Sequence, residues 1–365
     1  MKGLTYAPSG ALVAAPTTSL PEAPDGDRNW DYRYTWIRDS TFALWALFAL
    51  GFDWEANDYF WFIADLAERD EELLVVYGLD GERSLEEQTL DHLTGYDYAR
   101  PVRIGNAAAT QRQNDVWGSV LDSFYLHMKS RDQLDDRLWP IIRHQVACAV
   151  RHWREPDHGI WEIRGEPHHY TMSKVMCWVA VDRGYRLALV RGHDDVAKEW
   201  RAQAEEMHAE ICEQGVNAHG VFTQHWATDA LDASLLLLPL FRFLPPDDPR
   251  IVATVHAVAE ELSVDGLLRR YEPDKVEDGL VGTEGGFMAC SFWLVSALVE
   301  IGDVARARRL CEGLLSNASS LGLYAEELEP TSCRHLGNFP QALTHLALIN
   351  AVLHVIRAEQ AVELP

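Results

Sequence analysis

The sequence of 365 residues predicts an all-α fold, an (α/α)6 barrel in which inner and outer helices alternate around a closed ring. Most segments carry a helical period, and strand-like alternation is confined to short stretches such as residues 159–164. The more apolar helices also recur at a regular distance. They begin near Asp39, Asn114, Met172, Asp229, Gly286 and Pro340, about 57 residues apart after a longer first interval. One helical hairpin with its loops needs roughly 50 residues, so this period indicates stacked helical hairpins.

The distribution of apolar residues separates the inner helices from the outer ones. In residues 173–189 apolar side chains cover two or three sides of the helix, which is typical of a helix packed between neighbours. Five segments have a single apolar stripe and are predicted as outer helices: 54–69, 136–153, 195–208, 249–262 and 303–315. The sixth outer helix would lie within residues 68–90 or be absent. No Gly/Ser-rich linker divides the chain, so we expect a single domain over residues 1–365.

The charge balance excludes several classes of partner. Lys and Arg number 32 against 56 Asp and Glu, a formal charge of −24, which disfavours binding to nucleic acids and to anionic membranes. No apolar run is long enough to span a bilayer, and the N-terminal residues form no continuous apolar stretch. The six cysteines show no C-x-x-C spacing, and five lie in or beside apolar helical segments. These features predict a cytoplasmic protein whose cysteines are reduced. They do not specify its oligomeric state.

The loops that enter the inner helices are the expected place for chemistry. All inner helices of such a ring begin at the same end, so their N-termini and the preceding loops converge there. The first loop, residues 28–40, contains two Trp, two Tyr, three Arg and two Asp. Arg38 and Asp39 can bridge vicinal hydroxyls, while Tyr32 or Trp36 can cover an apolar sugar face. Asp39 could instead serve only as a helix N-cap, but the density of aromatic and ionic side chains favours a saccharide site.

The loop before the third inner helix supplies a candidate general acid. Glu162 follows Trp161 and precedes an isoleucine, and apolar walls raise the pKa of a carboxyl group, as a general acid near neutral pH requires. Lys174, in the first helical turn, is expected to form an ion pair or to contact substrate. Adjacent His168 and His169 point apart in an extended chain, and no H-E-x-x-H motif is present. We therefore expect neither a metal nor a cofactor.

The loop before the last inner helix supplies the second carboxyl group. Glu326 and Glu327 lie there, and two carboxyl groups that flank a glycosidic bond can hydrolyse it, one as acid and the other by activating water. The glycine-rich segment 282–287 is expected to bring its backbone or Glu284 close to a ligand. P-loop, G-x-S-x-G and dinucleotide-binding motifs are absent from the sequence.

With these motifs in view, the chain resembles the catalytic domain of glycoside hydrolase family 15, which includes glucoamylases and bacterial and archaeal trehalases. The resemblance extends over nearly the whole chain and rests on residues 3–22, 28–39, 173–180 and 336–345. It implies an (α/α)6 barrel and hydrolysis of α-glucosidic bonds with inversion. Cleavage of trehalose to glucose is the first expectation, and a glucoamylase-type activity on malto- or isomalto-oligosaccharides is the alternative. The related bacterial enzymes usually carry a β-sandwich domain before the barrel, and the barrel motifs here start almost at Met1.

The resemblance also implies roles for individual residues. Arg38 and Asp39 match the pair that hydrogen-bonds the released glucose, and Tyr32 and Trp36 match aromatic residues that line the same subsite. Glu162, directly after Trp161, matches the general acid. A further match, Arg270, corresponds to an arginine that contacts the sugar near the cleaved bond.

The general base departs from the family pattern. Counting back from Leu336 without gaps puts Arg334 at the position of the base, and arginine cannot activate water. Either Glu326 or Glu327 supplies the base, which we favour, or the chain is a sugar-binding or non-hydrolytic acid-catalysing homologue.

Overall fold

The computed structural model describes residues 1–24, 26–276, 279 and 284–363, and it has the predicted (α/α)6 architecture. Each inner element packs against the next around the ring, and the last packs against the first, so the ring is closed. The inner elements are α1 (Ser40–Ala49), α3 (Val116–Arg131), α5 (Thr171–Val190), the 3₁₀ helix Ala233–Leu237, α8 (Met288–Glu300) and α10 (Ala342–Glu363). The outer helices are α2 (Asp53–Arg69), α4 (Leu138–His152), α6 (Asp194–Gln214), α7 (Pro249–Glu261) and α9 (Val304–Leu315).

The fourth inner element differs from the prediction. A helix was expected from near Asp229, but the chain forms only a five-residue 3₁₀ helix, which the Asp232 side chain caps by accepting from the Ser234 N–H. Pro239 explains the short length, because proline has no N–H and its ring clashes with the carbonyl four residues earlier in an α-helix. The α5 and α8 helices both pack against this short element, so the ring still closes.

The sixth outer helix is absent from the described part of the chain. Residues 70–115, where it could have followed α2, contain only short strands and 3₁₀ turns. The ring therefore has five outer helices around six inner elements within the described residues. No helix among these residues combines the length and the apolar composition needed to cross a bilayer.

Nine two-residue strands tie the described loops together. They pair antiparallel as β1 (Thr35–Trp36) with β2 (Val76–Tyr77), β3 (Gln88–Thr89) with β4 (Arg103–Ile104), β5 (Ser263–Val264) with β6 (Leu267–Leu268), and β7 (Gly286–Phe287), β8 (Glu327–Leu328) and β9 (His335–Leu336) in one sheet. Within the last sheet Glu327 pairs with Phe287 on one side and with Leu336 on the other. Residues 159–164, expected to be strand-like, instead form a turn.

Aromatic side chains fill the centre of the ring beneath these loops. Phe42 of α1 stacks on Trp293 of α8 with ring centroids 5.9 Å apart, and Trp293 in turn contacts Trp161 at 5.8 Å. Phe241 meets Phe42 edge-on at 6.0 Å. Interiors pack densely, so these rings form an aromatic floor beneath the loops at the N-terminal ends of the inner helices.

Candidate active site

The loops at the N-terminal ends of the inner helices enclose two adjoining pockets with shared walls, as the convergence of these loops predicts. Five side chains line both pockets: Tyr32, Trp36, Trp161, Glu162 and Arg270. Three further predicted residues line one of them: Arg38, Asp39 and Glu326. Eight of the eleven residues that the sequence singles out are therefore brought to one cavity.

The backbone of Glu162 adopts an unusual conformation. Its φ is +53°, a left-handed value that costs energy for a residue with a Cβ. The side-chain amide of Gln111 donates to the carbonyls of Glu162 and Ile163, at 3.2 Å each, and so stabilises the turn. Strain of this kind persists only where the surroundings enforce it, and here it directs the carboxyl group into the cavity.

Three donors bind one oxygen of the Glu162 carboxyl group. Oε1 accepts from Trp36 Nε1 at 3.2 Å, from Arg38 Nη1 at 3.0 Å and from Gln113 Nε2 at 3.2 Å. The second oxygen, Oε2, receives no donor from the described residues. A proton held by this carboxyl group would therefore reside on Oε2, since an oxygen that already accepts three hydrogen bonds is the poorer site for it.

Burial raises the pKa of Glu162, and the charge of Arg38 lowers it by a smaller amount. The Arg38 guanidinium is shared, because its Nε donates to Asp39 Oδ1 at 2.9 Å and its Nη1 to the Ile160 carbonyl at 2.6 Å. An arginine that divides its charge between two carboxylates leaves the second one easier to protonate. The geometry thus provides the raised pKa that a general acid needs.

The second carboxyl group in the cavity belongs to Glu326, which directly precedes β8. The Tyr32 hydroxyl donates to its Oε1 at 2.7 Å, and only 1% of the residue is exposed. Burial and the neighbouring Glu22 raise the pKa of Glu326 to about 8, against the lowering effects of Arg270 and of the Tyr32 hydrogen bond. A carboxyl group with this pKa is mostly protonated at neutral pH, so Glu326 can act as a base only after it has lost that proton.

Glu327 does not reach the cavity, although it is adjacent in sequence. Successive side chains of a strand point to opposite faces, and Glu327 is fully buried on the face away from the pockets. Its Oε2 accepts from the Gly285 N–H at 2.7 Å, and burial together with the charges of Glu22 and Glu284 raises its pKa. Of the two candidates for the base, only Glu326 lines the same pocket as Glu162.

Arg270 lies in the cavity wall and is held from behind by carboxylates. Its Nη2 donates to Glu284 Oε1 at 2.6 Å and to Glu22 Oε2 at 3.1 Å, and its Nε donates to Glu284 Oε2 at 3.0 Å. Arg28 Nη1 donates to Glu284 Oε1 at 2.5 Å. The guanidinium also lies 4.9 Å from the Phe287 ring centroid. Arg270 is thus fixed in place before any ligand binds.

Two predicted binding residues lie outside the cavity, which corrects those expectations. Both oxygens of Glu284 are taken up by arginines, so its carboxylate forms part of the support behind the wall and does not face a ligand. Lys174 is fully buried in the first turn of α5, where it donates to the Glu155 carbonyl and lies near Asp157. Residues 282 and 283 of the glycine-rich segment lie outside the described residues.

Arg334 is also far from the position that the gap-free count suggests. It is exposed, and its Nη2 pairs with Asp97 Oδ2 at 2.9 Å. The reason lies in the β8–β9 hairpin, in which Leu336 pairs across the strands with Glu327. Counting along the chain from Leu336 reaches the tip of the hairpin, whereas the spatial neighbours of Leu336 are the glutamates on the opposite strand.

Several residues of the site were not found from the sequence. Gln111 and Gln113 bind Glu162, and Glu22 and Arg28 support Arg270. The glutamines lie in the loop before α3, and loops that enter inner helices are the expected place for functional residues. Their position could therefore have identified them from the sequence. Glu22 ends the first segment of the family resemblance, but nothing in the sequence marks it as a partner of Arg270. Among the described residues no group of three His, Cys, Asp or Glu side chains is arranged to hold a metal ion.

An (α/α)6 barrel with two carboxyl groups and aromatic walls at this end of the ring is the arrangement of the glycoside hydrolase class. Solved structures share the fold. A variant glycosidase in complex with glucose superimposes with a TM-score of 0.76 at 20% identity, covering 97% of this chain and 93% of that one. A bacterial glucoamylase complexed with acarbose gives 0.75 at 14% identity, covering 96% and 53%. At these identities the likeness concerns the fold alone.

Sequence comparison gives the family. Residues 1–353 match the model of the glycosyl hydrolases family 15. A trehalase of Mycobacterium tuberculosis (strain ATCC 25618 / H37Rv) is 66% identical over 364 residues, 99% of this chain and 54% of that protein. A trehalase of Thermoplasma volcanium is 40% identical over 351 residues, 96% and 56% respectively. The chain belongs to glycosyl hydrolase family 15, and it spans about half the length of these curated relatives.

The packing around Glu326 predicts that Gly337 accepts no side chain. A Cβ at Gly337 would lie 2.7 Å from Glu326 Oε2, whereas a Cβ at Gly322 would have no heavy atom within 4 Å, and both residues have a φ of +72°. Gly322→Ala should lower the free energy of unfolding by about 1–2 kcal/mol through backbone strain alone. Gly337→Ala should cost about 1–3 kcal/mol more through overpacking, as measured by denaturant unfolding. Equal losses in the two variants would contradict the packing described here.

Proposed function

We propose that the chain is the catalytic part of a trehalase, which hydrolyses trehalose to two molecules of glucose. The observation that carries the proposal is the pair Glu162 and Glu326 in one cavity of a chain that is 66% identical to a curated trehalase over 99% of its length. Trehalases at 64% and 40% identity also match nearly the whole chain. The cavity is small and closed below by aromatic rings, which suits a neutral disaccharide.

In this proposal Glu162 is the general acid and Glu326 the general base. Glu162 gives its proton to the glycosidic oxygen as the bond to the anomeric carbon breaks. Glu326 takes a proton from a water molecule, whose oxygen attacks the same carbon from the opposite face and inverts it. The raised pKa of Glu162 supports the first role, and the position of Glu326 in the cavity wall supports the second.

The remaining lining residues bind the sugar in this proposal. Arg38 and Asp39 form an ion pair at 2.9 Å whose free hydrogen-bonding positions can bridge two neighbouring hydroxyls. Trp36 and Trp161 offer ring faces for the apolar side of a glucose ring. Arg270 presents a fixed guanidinium beside Trp161, with 5.7 Å between its Cζ and the ring centroid. Tyr32 both lines the cavity and donates to Glu326.

We also propose that the barrel is one catalytic unit, since residues that line the cavity range from Ala14 to Leu343 and need the whole ring to come together. A cytoplasmic location is part of the same proposal. It is supported by the cysteines, of which Cys148, Cys177, Cys290 and Cys311 are buried as free thiols in the helical layers.

The alternative of a hydrolytically inactive homologue loses the observation that supported it. It rested on Arg334 in place of the base, and the side chain of Arg334 is exposed and bound to Asp97. A glucoamylase-type activity has the weaker support, because the isomaltose glucohydrolase of Kribbella flavida is 29% identical over 233 residues, 62% of this chain.

A substrate panel tests the proposed function. Glucose release should be fastest from trehalose and much slower from maltose, isomaltose and dextrin, because the relatives that match nearly the whole chain at 66%, 64% and 40% identity are trehalases. With inversion, the first product of trehalose should contain one β-glucose for each α-glucose, since water inverts only the half that it attacks. Proton NMR at early times resolves the two anomers. Faster hydrolysis of maltose or isomaltose than of trehalose would refute the trehalase assignment.

Two variants separate the acid from the base. Glu162→Gln and Glu326→Gln should each lower kcat on trehalose by roughly 10²–10⁴-fold. On α-glucosyl fluoride, whose leaving group needs no protonation, Glu162→Gln should recover most of its activity, whereas Glu326→Gln should remain inactive. If Glu326→Gln hydrolysed the fluoride normally, Glu326 would not be the base. Circular dichroism checks that both variants fold.

A further inference from the structure

A buried cluster of charges lies directly behind the cavity wall. Four carboxyl groups, those of Glu22, Glu284, Glu326 and Glu327, surround the guanidinium groups of Arg28 and Arg270, and none of these six residues is more than 9% exposed. With every group ionised, the cluster would carry two more negative than positive charges. An uncompensated buried charge costs several kcal/mol, so a cluster of this composition retains protons at neutral pH.

The hydrogen bonds indicate where these protons lie. Both oxygens of Glu284 accept from arginine, which makes Glu284 the best-compensated anion of the cluster. By contrast, three buried carboxyl oxygens have no hydrogen-bond partner among the described residues: Glu22 Oε1, Glu326 Oε2 and Glu327 Oε1. An unpaired buried oxygen is the natural position for a carboxyl proton, since protonation turns it into a donor.

Glu22 is a member of the cluster that takes no direct part in the proposed reaction. It lines neither pocket and is fully buried, so it cannot touch a ligand. Its Oε2 accepts from Arg270 Nη2 at 3.1 Å, and the nearby Trp30 side chain lowers the pKa of its carboxyl group. The charged groups that face it are Arg270, Arg28 and the other three glutamates.

The charge of Glu22 acts on Glu326 more strongly than any other charge in the cluster. After burial itself, Glu22 is the largest cause that raises the pKa of Glu326. Burial also raises the pKa of Glu22, to about 7, with Arg270 opposing and Glu284 adding to this effect. Arg270 bonds Glu22 directly and lowers the pKa of both carboxyl groups, so the charge of Glu22 bears on the proton of Glu326.

We propose that Glu22 is a positioning residue whose charge controls when Glu326 gives up its proton, so that the buried cluster sets the pH at which water is activated. When Glu22 holds a proton, Glu326 can be anionic and can accept a proton from the attacking water. When Glu22 is anionic, Glu326 keeps its own proton and the water is not activated. This inference rests on the proposed function, in which Glu326 is the base.

The test is the pH dependence of kcat/KM on α-glucosyl fluoride, which needs no acid and so reports on the base alone. Glu22→Gln removes the charge, so the acidic limb of the profile should move to lower pH by about half a unit or more. Glu22→Asp keeps the charge and should restore a limb close to that of the wild type. Glu199→Gln, on the exposed face of α6, changes the net charge equally and should leave the limb in place.

A second variant keeps the test decisive if Glu22→Gln does not fold. Trp30→Phe removes the indole N–H that lowers the pKa of Glu22 but keeps a ring between Arg103 and Arg164. Glu22 then holds its proton to higher pH, and the limb should move in the same direction by a smaller amount. If the acidic limb of the kcat/KM profile stays at the wild-type pH in both variants, the inference is overturned, whatever the absolute rates of the variants.

The two proposals fail in different ways. If Glu326→Gln retains normal activity, the assignment of the base fails. If Glu326→Gln is inactive but Glu22→Gln only lowers the rate uniformly across pH, the base stands and Glu22 has a purely structural role.

Discussion

The active end of the ring depends on one buried guanidinium, that of Arg270. It joins Glu22 near the N-terminus to Glu284 before α8, and it lies 3.9 Å from Glu327 beside the last inner helix. These segments are distant in sequence, and the single positive charge of Arg270 holds them together. Because an arginine stays protonated under all ordinary conditions, it is a fixed reference around which the carboxyl groups must share their protons. The wall of the cavity and the proton balance behind it therefore have the same physical origin.

The aromatic floor makes these charges effective. Phe42, Trp293 and Trp161 pack beneath the site and place apolar surface against its lower side. Charges interact more strongly in such surroundings than in solution, and this is why burial leads the causes that raise the pKa of both Glu162 and Glu326. The apolar character that identifies the inner helices in the sequence is thus also the condition for the chemistry above them.

The sequence predicts the ring well and the site in part, for separate physical reasons. The starts of five inner helices follow from hydrophobic periodicity, which reflects burial and is written along the chain. The short fourth element follows from Pro239, a local effect that periodicity alone does not register. The aromatic and ionic residues of the first loop were found because they are dense in sequence. Glu22 was not, because its importance arises only from charges that folding brings around it.

The proposed general base illustrates how distance along the chain can mislead. Arg334 is two residues from Leu336 in sequence, yet it lies on the surface, while Glu327 is nine residues away and pairs with Leu336 across the β8–β9 hairpin. The carboxyl group next to Glu327 then enters the cavity because side chains alternate along a strand. Glu162 and Glu326 also differ through the groups that folding places around them. One meets a charged arginine and two neutral donors on a single oxygen, the other a tyrosine hydroxyl and a group of carboxylates. In the proposed mechanism two identical side chains thus acquire opposite tasks from their neighbours, and those neighbours come from loops that only the closed ring brings together.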